Sequence, residues 1–307
     1  MGAEWSSGAD LWQWRLWASR FVEDCIQEAE GRLELHQELD WLLLAVTDLD
    51  RLALRLGSVQ QRPQVTLQRS LEELSLLWQQ RLQQRVPIQY LLGKMDWRDF
   101  RLTVGPGVLI PRPETELLID LAQAAIAEHE LSALAPMQWA DLGTGSGAIA
   151  LGLARSFPQT VVHAVDCSTD ALKIARTNTQ TLNLTDRVRF YQGLWFEPLA
   201  EWRDRLDGIV SNPPYIPSEM VPALQPEVAH HEPHLALDGG ADGLDAIRII
   251  VSQAPQYLKS GGTLLLEMML GQAEAVVALL QQEGQYQQIQ IHADWAGIQR
   301  FAQATRV

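Results

Sequence analysis

The sequence predicts a doubly wound α/β fold with a seven-stranded, mostly parallel sheet, preceded by a small all-α domain. From residue 137 onward, short apolar runs alternate with helical stretches, a pattern typical of parallel strands covered by helices on both faces. Before residue 85, apolar residues recur at three- and four-residue spacing, which is typical of amphipathic helices. We therefore expect a helical domain over 1–85, a β-hairpin linker over 86–112 and an α/β domain over 113–307.

Three amphipathic stretches predict the helices of the first domain. They are "WRLWASRFVEDCIQEA", "ELDWLLLAVTDLDRLALRLG" and "TLQRSLEELSLLWQQRLQQR". The second is expected to run as one helix to Gly57, a residue that suits a helix C-cap. We expect Trp12, Trp14 and Trp17 to lie in the core of this domain, because most aromatic side chains in such stripes are buried.

The remaining elements follow in chain order. "VPIQYLLGKMDWRDFRLTVGPGVLI" combines glycine, proline and alternating apolar residues, which predicts a hairpin. "PRPETELLIDLAQAAIAEH" opens a helix, with prolines before it and acidic residues in its first turn. Seven strands are then expected in "MQWADL", "VVHAV", "VRFYQ", "DGIVS", "GTLLLEM", "QQIQIH" and "RFAQATR".

Composition excludes several classes of protein. The chain has 307 residues, 47% of them hydrophobic, and a net charge of −14, which disfavours direct binding to nucleic acid. No apolar run approaches membrane-spanning length, and the start lacks the basic region of a secretion signal. The two cysteines, Cys25 and Cys167, have no metal-binding spacing. We expect a cytoplasmic protein with no membrane partner.

A glycine-rich turn, "DLGTGSGAIAL", links the first strand of the sheet to its helix. Gly143, Gly145 and Gly147 allow a ligand to approach the backbone closely, beside the free N–H groups of a helix N-terminus. Asp166 closes the second strand, where it can accept hydrogen bonds from ribose hydroxyls. This Rossmann-like pattern predicts a nucleoside cofactor. Because Ala148 completes a G-x-G-x-x-A fingerprint, the turn alone leaves NAD open.

The segment "SNPPY" follows the fourth strand, which a doubly wound order places beside the first. Proline holds Asn212 and Pro213 extended, so the Asn212 side-chain oxygen and the Pro213 carbonyl form a stiff pair of acceptors. Such a pair suits a planar NH2 group, and Tyr215 offers a flat face beside it. These residues predict an amino- or amide-methyltransferase that uses S-adenosylmethionine, rather than a hydride-transfer enzyme.

With these motifs, the chain resembles the HemK/PrmC-type peptide-chain-release-factor glutamine N5-methyltransferases over nearly its whole length. The likeness is carried by "HQELDWLLLAV", "PIQYLLG", "VLIPRPETE", "DLGTGSGAIAL", "VDCS", "GLWF", "SNPPYIP", "EPHLALDGGADGLDAIR" and "DWAGIQR". The resemblance implies a class I methyltransferase fold and methylation of the glutamine in the Gly-Gly-Gln motif of class 1 release factors. It also implies that the helical domain helps to dock the release factor, and we expect a monomer.

The predicted site has three overlapping groups. The catalytic group is Asn212, Pro213 and Tyr215. The substrate-binding group is Asn212, Pro213, Pro214 and Tyr215. The cofactor-binding group is Gly143, Thr144, Gly145, Ser146, Gly147, Asp166, Trp195 and Asn212, of which Thr144, Ser146, Trp195 and Asn212 are implied by the resemblance. No metal is expected, and the loop that carries His230, His231 and His234 is predicted to cover the substrate.

Two positions depart from the family pattern, which commonly has Glu-Ile-Gly after the fifth strand and a small polar residue before the tryptophan of "GLWF". This chain has Glu267-Met268-Met269 and Leu194 at those places.

Four alternatives stay open at this point: a glutamine methyltransferase of a ribosomal protein, an adenine N6-methyltransferase, a cofactor-binding module without activity, and an NAD enzyme.

Overall fold

The structure is a computed structural model that describes residues 4–25, 29–128 and 136–307. The chain divides into two compact units, Met1–Gly93 and Lys94–Val307. This division falls between the predicted domain limits at 85/86 and 112/113, which stay predictions. No helix among the described residues is both long enough and apolar enough to cross a membrane.

The first unit is mainly helical, as the amphipathic stretches predict. Its helices are α1 (Gly8–Cys25), α2 (Ala29–Val46), α3 (Arg51–Leu56), α4 (Leu71–Gln83) and α5 (Ile88–Leu92). A small antiparallel sheet is added to them, formed by β1 (Glu4–Ser6) and β2 (Val65–Leu67). The sequence pattern does not predict this sheet, because a three-residue strand is too short to show alternation.

The second predicted helix is interrupted. α2 ends at Val46, and α3 begins after Asp50, whose side chain accepts a hydrogen bond from the Ala53 N–H at 2.7 Å. Thr47 turns its hydroxyl back to the Leu43 carbonyl at 2.7 Å. Polar side chains that bond to the local backbone compete with helix continuation, which explains the break. The predicted end at Gly57 is confirmed, and this glycine has φ +67°.

The expectation for the N-terminal tryptophans is only partly right. Trp14 is 7% exposed and donates its indole N–H to Ser75. Trp17, by contrast, is 37% exposed and stacks on Phe21. A tryptophan stripe at helical spacing therefore reaches beyond the buried face, since successive residues rotate away from the core.

The second unit begins with a hairpin of β3 (Lys94–Trp97) and β4 (Phe100–Thr103). Its remaining strands are β5 (Gln138–Leu142), β6 (Val161–Asp166), β7 (Val188–Gln192), β8 (Leu206–Ser211), β9 (Leu258–Glu267), β10 (Tyr286–Ala293) and β11 (Gln299–Arg306). Its α-helices are α6 (Leu117–Glu128), α7 (Ala148–Ser156), α8 (Thr169–Thr181), α9 (Pro226–His231), α10 (Asp245–Gln253) and α11 (Ala273–Glu283).

The seven strands form one sheet in the order β10-β11-β9-β8-β5-β6-β7. β11 runs antiparallel to both β9 and β10, and the other neighbours pair in parallel. The predicted seven-stranded, mostly parallel sheet is confirmed. β8 lies beside β5, with Leu142 opposite Ser211, so the residues that follow these two strands emerge side by side. This is the switch point at which doubly wound sheets bind ligands.

Candidate active site

The glycine turn after β5 is a closed backbone loop. Gly143, Gly145 and Gly147 have φ values of +75°, +55° and +85°, a region that residues with a side chain adopt only at a cost. The N–H groups of Gly143 and Thr144 both donate to the Val165 carbonyl at 2.9 Å. The glycines and the end of β6 together therefore hold the turn in one conformation.

Asp141 supports this turn from inside the sheet. Its side chain is fully buried and accepts hydrogen bonds from the Thr144 hydroxyl at 2.5 Å and the Ala150 N–H at 3.0 Å. Burial raises the pKa of Asp141 to about 7, although both hydrogen bonds act in the opposite direction. One carboxyl group thus connects the turn to the first turn of α7.

Asp166 lies at the end of β6, as predicted, and is bonded to the protein on both oxygens. Its Oδ2 accepts from the Gly145 N–H and its Oδ1 from the Ser168 N–H, each at 2.8 Å. Burial raises the pKa of this carboxyl group. A carboxylate offers about four acceptor sites, so each oxygen can still accept a ribose hydroxyl. Asp166 can therefore orient the glycine turn and a ligand together.

Trp195 closes the opposite wall. It has φ +51°, which is rare for a bulky residue, and such strain is concentrated at functional sites. A Cβ atom added to Gly143 would lie 3.7 Å from the Trp195 ring. Leu194, 44% exposed, lines the same space. The departure from a polar residue at Leu194 therefore makes this wall more apolar.

A cavity of about 360 Å³ lies between these groups. Five of the predicted cofactor residues line it: Gly143, Gly145, Asp166, Trp195 and Asn212. Its lining combines mostly apolar groups with two carboxyl groups, those of Asp166 and Asp238, and the glycine backbone of the turn, which suits a nucleoside with a ribose. The residues present therefore fit an adenosine-containing cofactor.

The other three predicted cofactor residues lie behind the cavity wall. Thr144 is bonded to Asp141, and the Ser146 carbonyl accepts from the Asn178 side chain at 2.9 Å. Gly147 is the N-cap of α7, and a Cβ atom there would come within 3.2 Å of Ala175. The three residues hold the turn in place, and their direct contact with a cofactor stays a prediction.

Asn212 stands where two cavities meet. It lines the larger cavity and also a second one of about 230 Å³, which is lined by Arg112 and Tyr215 as well. Its Nδ2 donates to the Thr115 hydroxyl at 3.2 Å. Its Oδ1 and the Pro213 carbonyl accept no hydrogen bond from any residue that the structure describes. Asn212 Oδ1 thus has no protein donor on a residue that lines both cavities, whereas Pro213 is buried and lines neither, so its role as an acceptor stays a prediction.

Tyr215 lines the second cavity, and its hydroxyl donates to Glu267 Oε1 at 3.1 Å. Burial and the neighbouring Glu267 charge raise the pKa of Tyr215 above its ordinary value. The phenol is therefore neutral at any physiological pH. Tyr215 can offer a flat surface, but its hydroxyl proton is already donated to Glu267 and it cannot serve as a base.

Sequence reasoning missed two residues of the site. Thr115 bridges Asn212 to Glu267, since its hydroxyl also lies 2.7 Å from Glu267 Oε2. Glu267, at the end of β9, is 1% exposed, and burial raises its pKa to about 7. A carboxyl group that ends a strand next to β8 was the available signal, because it lies at the ligand-binding edge of the sheet.

The main chain at Tyr215 is held by residues further along the sequence. Gln272 donates from Nε2 to the Tyr215 carbonyl at 2.9 Å, and its Oε1 accepts from the Met269 N–H at 2.9 Å. A Cβ atom at Gly243 would lie 2.2 Å from the Tyr215 carbonyl, so only glycine fits there. Met269 lies outside the left-handed region, so its backbone tolerates the departure from the family glycine.

The loop that follows α9 forms the outer wall of both cavities. Glu232 is buried and pairs with Arg112 at 2.7 Å, and it also accepts from the Ile110 N–H at 3.1 Å. Of the histidines predicted in a loop, His230 and His231 lie at the end of α9 and only His234 lies in this loop, and no metal-binding group is found in the described part of the chain. The loop is thus anchored to the segment that precedes α6, and its predicted role as a substrate cover stays a prediction.

Comparison with known proteins identifies the family. The family model of the methyltransferase small domain matches residues 116–231 of this chain. A release factor glutamine methyltransferase from Synechocystis sp. is 54% identical over 271 residues, covering 87% of this chain and 89% of that one. The protein of the same name from Thermosynechococcus vestitus is 47% identical over 295 residues, covering 96% of this chain and 98% of that one.

A solved structure supports the fold. The catalytic domain of hMettl16, in complex with the MAT2A 3′UTR hairpin 6, has a TM-score of 0.52 and 15% identity to this chain, covering 79% of this chain and 84% of that one. At that identity the likeness shows the fold alone. The predicted methyltransferase class, family and cofactor are confirmed by these findings. This chain belongs to the family of release factor glutamine methyltransferases, enzymes that use S-adenosylmethionine.

Proposed function

We propose that this protein methylates the side-chain amide nitrogen, N5, of the glutamine in the Gly-Gly-Gln motif of class 1 peptide chain release factors. The names of its relatives, release factor glutamine methyltransferase, support this substrate. We also propose that it acts in the cytoplasm as a monomer, that it does not bind nucleic acid directly, and that the helical domain helps to dock the release factor.

One observation carries the proposal. Asn212 Oδ1 and the Pro213 carbonyl have no donor among the described residues, and Asn212 lines both cavities. Two acceptors on a stiff mount match the two N–H bonds of a carboxamide. The larger cavity then holds the cofactor and the smaller one the glutamine side chain, with the amide nitrogen at their junction.

The chain promotes the reaction by orienting the amide. When bound, S-adenosylmethionine supplies a methyl group on a positively charged sulfur, which the glutamine nitrogen takes in a direct displacement. Asn212 and Pro213 hold both hydrogens, which turns the nitrogen lone pair toward the larger cavity. An amide nitrogen is a weak nucleophile because its lone pair is delocalised, and acceptors on both hydrogens oppose that delocalisation. They also stabilise the positive charge that develops on nitrogen.

No strong base is required in this mechanism. The phenol of Tyr215 is neutral, and its proton is directed to Glu267. The N–H becomes acidic only after the methyl group has been added, so its proton can leave to water along the acceptor pair. Tyr215 instead packs its ring beside the amide plane, where it limits rotation of the substrate.

The cofactor residues are proposed by the same geometry. Gly143 and Gly145 would present backbone to the nucleoside, Asp166 would accept the ribose hydroxyls, and Trp195 would lie against the adenine. Thr144, Ser146 and Gly147 would act by keeping the turn in shape.

A side-by-side assay tests the substrate. The protein and S-adenosylmethionine are incubated separately with a cognate release factor, ribosomal protein and nucleic acid, and methylation is located by mass spectrometry. We expect a single added methyl group on the glutamine of Gly-Gly-Gln. Methylation of a ribosomal glutamine or of adenine, with the release factor unmodified, would replace the proposal with one of the two alternatives.

A further inference from the structure

Four side chains in the second unit form one continuous hydrogen-bonded chain. Asn212 Nδ2 lies 3.2 Å from the Thr115 hydroxyl oxygen, which lies 2.7 Å from Glu267 Oε2. Tyr215 reaches the other oxygen of the same carboxyl group, Oε1, at 3.1 Å. Glu267 is 1% exposed and Thr115 is 3% exposed, so water does not compete for these bonds.

When Glu267 is ionised, the hydrogen bonds between these four side chains can run in only one direction. A carboxylate can only accept, so the single hydroxyl proton of Thr115 must point to Glu267. The Thr115 oxygen is then left as an acceptor, and only the NH2 end of the Asn212 amide can face it. The opposite end, Oδ1, is therefore turned away from Thr115.

This direction matters because the two ends of a carboxamide have almost the same size. Shape alone cannot distinguish a correctly placed Asn212 from one rotated by half a turn. A rotated Asn212 would present its own NH2 to the NH2 of the substrate, and two donors would then face each other without a hydrogen bond. Half of the acceptor pair would be lost.

We propose that Thr115 and Glu267 are positioning residues that set the orientation of the Asn212 carboxamide, so that its oxygen faces the substrate amide. Neither residue needs to touch the substrate. The Glu267 carboxylate also accepts a hydrogen bond from the Tyr215 hydroxyl. A single buried group therefore orients the side chains of both Asn212 and Tyr215. This inference rests on the proposed function, because it assumes an NH2 group as the reacting partner.

Protonation of Glu267 would allow the hydrogen bonds from Asn212 through Thr115 to Glu267 to run in either direction. The charged and titratable groups that act on its carboxyl group are Arg300, Glu114 and Tyr215, and Arg112 acts on Tyr215 in turn. A neutral Glu267 can donate to Thr115, which frees the Thr115 proton to point at Asn212 and favours the rotated amide. Burial raises the pKa of Glu267 to about 7, so we expect turnover to fall as the pH decreases through this region.

The test compares substitutions that differ by one functional group. Thr115→Val keeps the shape and removes the hydroxyl, and we expect kcat to fall about 100-fold. The KM for S-adenosylmethionine should change little. Thr115→Ser restores the hydroxyl and should return kcat to within about threefold of the wild type. Thr305→Val, which removes another buried threonine hydroxyl far along the sheet, is the matched control and should leave turnover unchanged.

Glu267→Gln provides a second readout. Glutamine always carries an NH2 group, so it imitates the neutral acid at every pH. We expect a low kcat that no longer rises between pH 6 and 8, whereas the wild-type kcat rises in that interval. Wild-type and variant profiles of the same shape would overturn the role of Glu267.

The orientation can also be measured without turnover. In protein labelled with ¹⁵N-asparagine, the side-chain NH2 signals of Asn212 are assigned by their loss in Asn212→Ala. We expect slow hydrogen exchange at this group in the wild type and in Thr115→Ser, and exchange at least tenfold faster in Thr115→Val.

The outcomes separate the two proposals. A wild-type protein that leaves Gly-Gly-Gln unmethylated defeats the proposed function, and the exchange measurement still decides the orientation of Asn212. A wild type that methylates, together with Thr115→Val at full kcat and unchanged exchange, defeats the inference alone.

Discussion

Two neighbouring segments of the site are stabilised in different ways. The glycine turn follows β5 and the Asn-Pro-Pro-Tyr segment follows β8, so both emerge at the same edge of the sheet. The carboxyl groups that hold the turn are 3 and 21 residues away from the groups they bind, from Asp141 to Thr144 and from Asp166 to Gly145. The groups that hold the second segment are 52 to 97 residues away, at Glu267, Gln272 and Thr115.

This difference separates backbone conformation from side-chain orientation. In the turn, glycines allow the left-handed conformations, and the main chain at Gly143 and Gly145 lines the larger cavity directly. In the second segment, proline stiffens the main chain, but the functional oxygen of Asn212 can rotate and needs an external partner. Changes in the turn should therefore affect stability and cofactor binding, and changes around Asn212 should affect turnover.

The largest effect is expected for Asn212→Ala. Loss of one of the two acceptors should reduce kcat at least about 1,000-fold, because the substrate amide is no longer aligned. The rise in melting temperature on addition of S-adenosylmethionine should persist, since the turn is intact. Methyl transfer to a Gly-Gly-Gln peptide and thermal shift measure the two effects. A variant that turns over normally would contradict the assignment of Asn212.

Asn178→Ala is the counterpart of Asn212→Ala, because Asn178 is an asparagine that holds the glycine turn. The Asn178 side chain bonds the Ser146 carbonyl and both backbone groups of Thr103, at 2.7 to 2.9 Å. Removing it leaves buried polar groups without partners, so we expect a loss of about 3 kcal/mol in the free energy of unfolding. Urea denaturation measures this loss. If Asn178→Ala were as stable as the wild type but inactive, the two segments would not differ as described.

Two glycine substitutions divide the turn further. Gly147→Ala meets both a left-handed φ and the Ala175 side chain at 3.2 Å, and should cost about 2 kcal/mol of stability. Gly145→Ala also places a side chain at a left-handed φ, but no neighbour lies within 4 Å. We therefore expect a loss of only about 1 kcal/mol in the free energy of unfolding. Because Gly145 lines the larger cavity, its substitution should weaken S-adenosylmethionine binding about tenfold, as measured by calorimetry. The reverse ranking of stabilities would show that packing behind the turn is loose.

The last prediction concerns the pH dependence of stability. Burial raises the pKa of Glu267 to about 7, above the value of an unfolded glutamate. Between these two values the folded protein binds the extra proton, so this contribution to stability is lost as the pH rises toward 7. Glu267→Gln lacks it, and its unfolding free energy should decline less steeply between pH 5 and 7, by up to about 1.4 kcal/mol per pH unit.

Urea titrations of both proteins at pH 5 and pH 7 measure this difference. Asp141, whose pKa is also raised to about 7 by burial, is present in both proteins and cancels in the comparison. Parallel slopes would mean that Glu267 is solvated in the folded state.

Several local features of the second unit could be predicted from the sequence. The seven strands, the turn between β5 and α7 and the position of Asp166 at the end of β6 all follow from short-range patterns. The N-terminal unit shows where such patterns fail. The apolar period over residues 38–57 predicts one helix, but capping by Asp50 divides it, and the exposure of Trp17 depends on how far the core extends.

The sequence by itself determined the fold class and the left-handed glycine turn, and it also predicts the stiff pair of acceptors at Asn212 and Pro213. Each depends on glycine or proline backbone geometry or on apolar periodicity, which act within a few residues. Only the tertiary structure decided which groups orient those acceptors. Thr115, Glu267 and Gln272 come from separate elements, and they meet Asn212 and Tyr215 because the sheet brings the ends of its strands to one edge. Hydrogen bonds between such distant residues leave no period in the sequence, so only the fold reveals them.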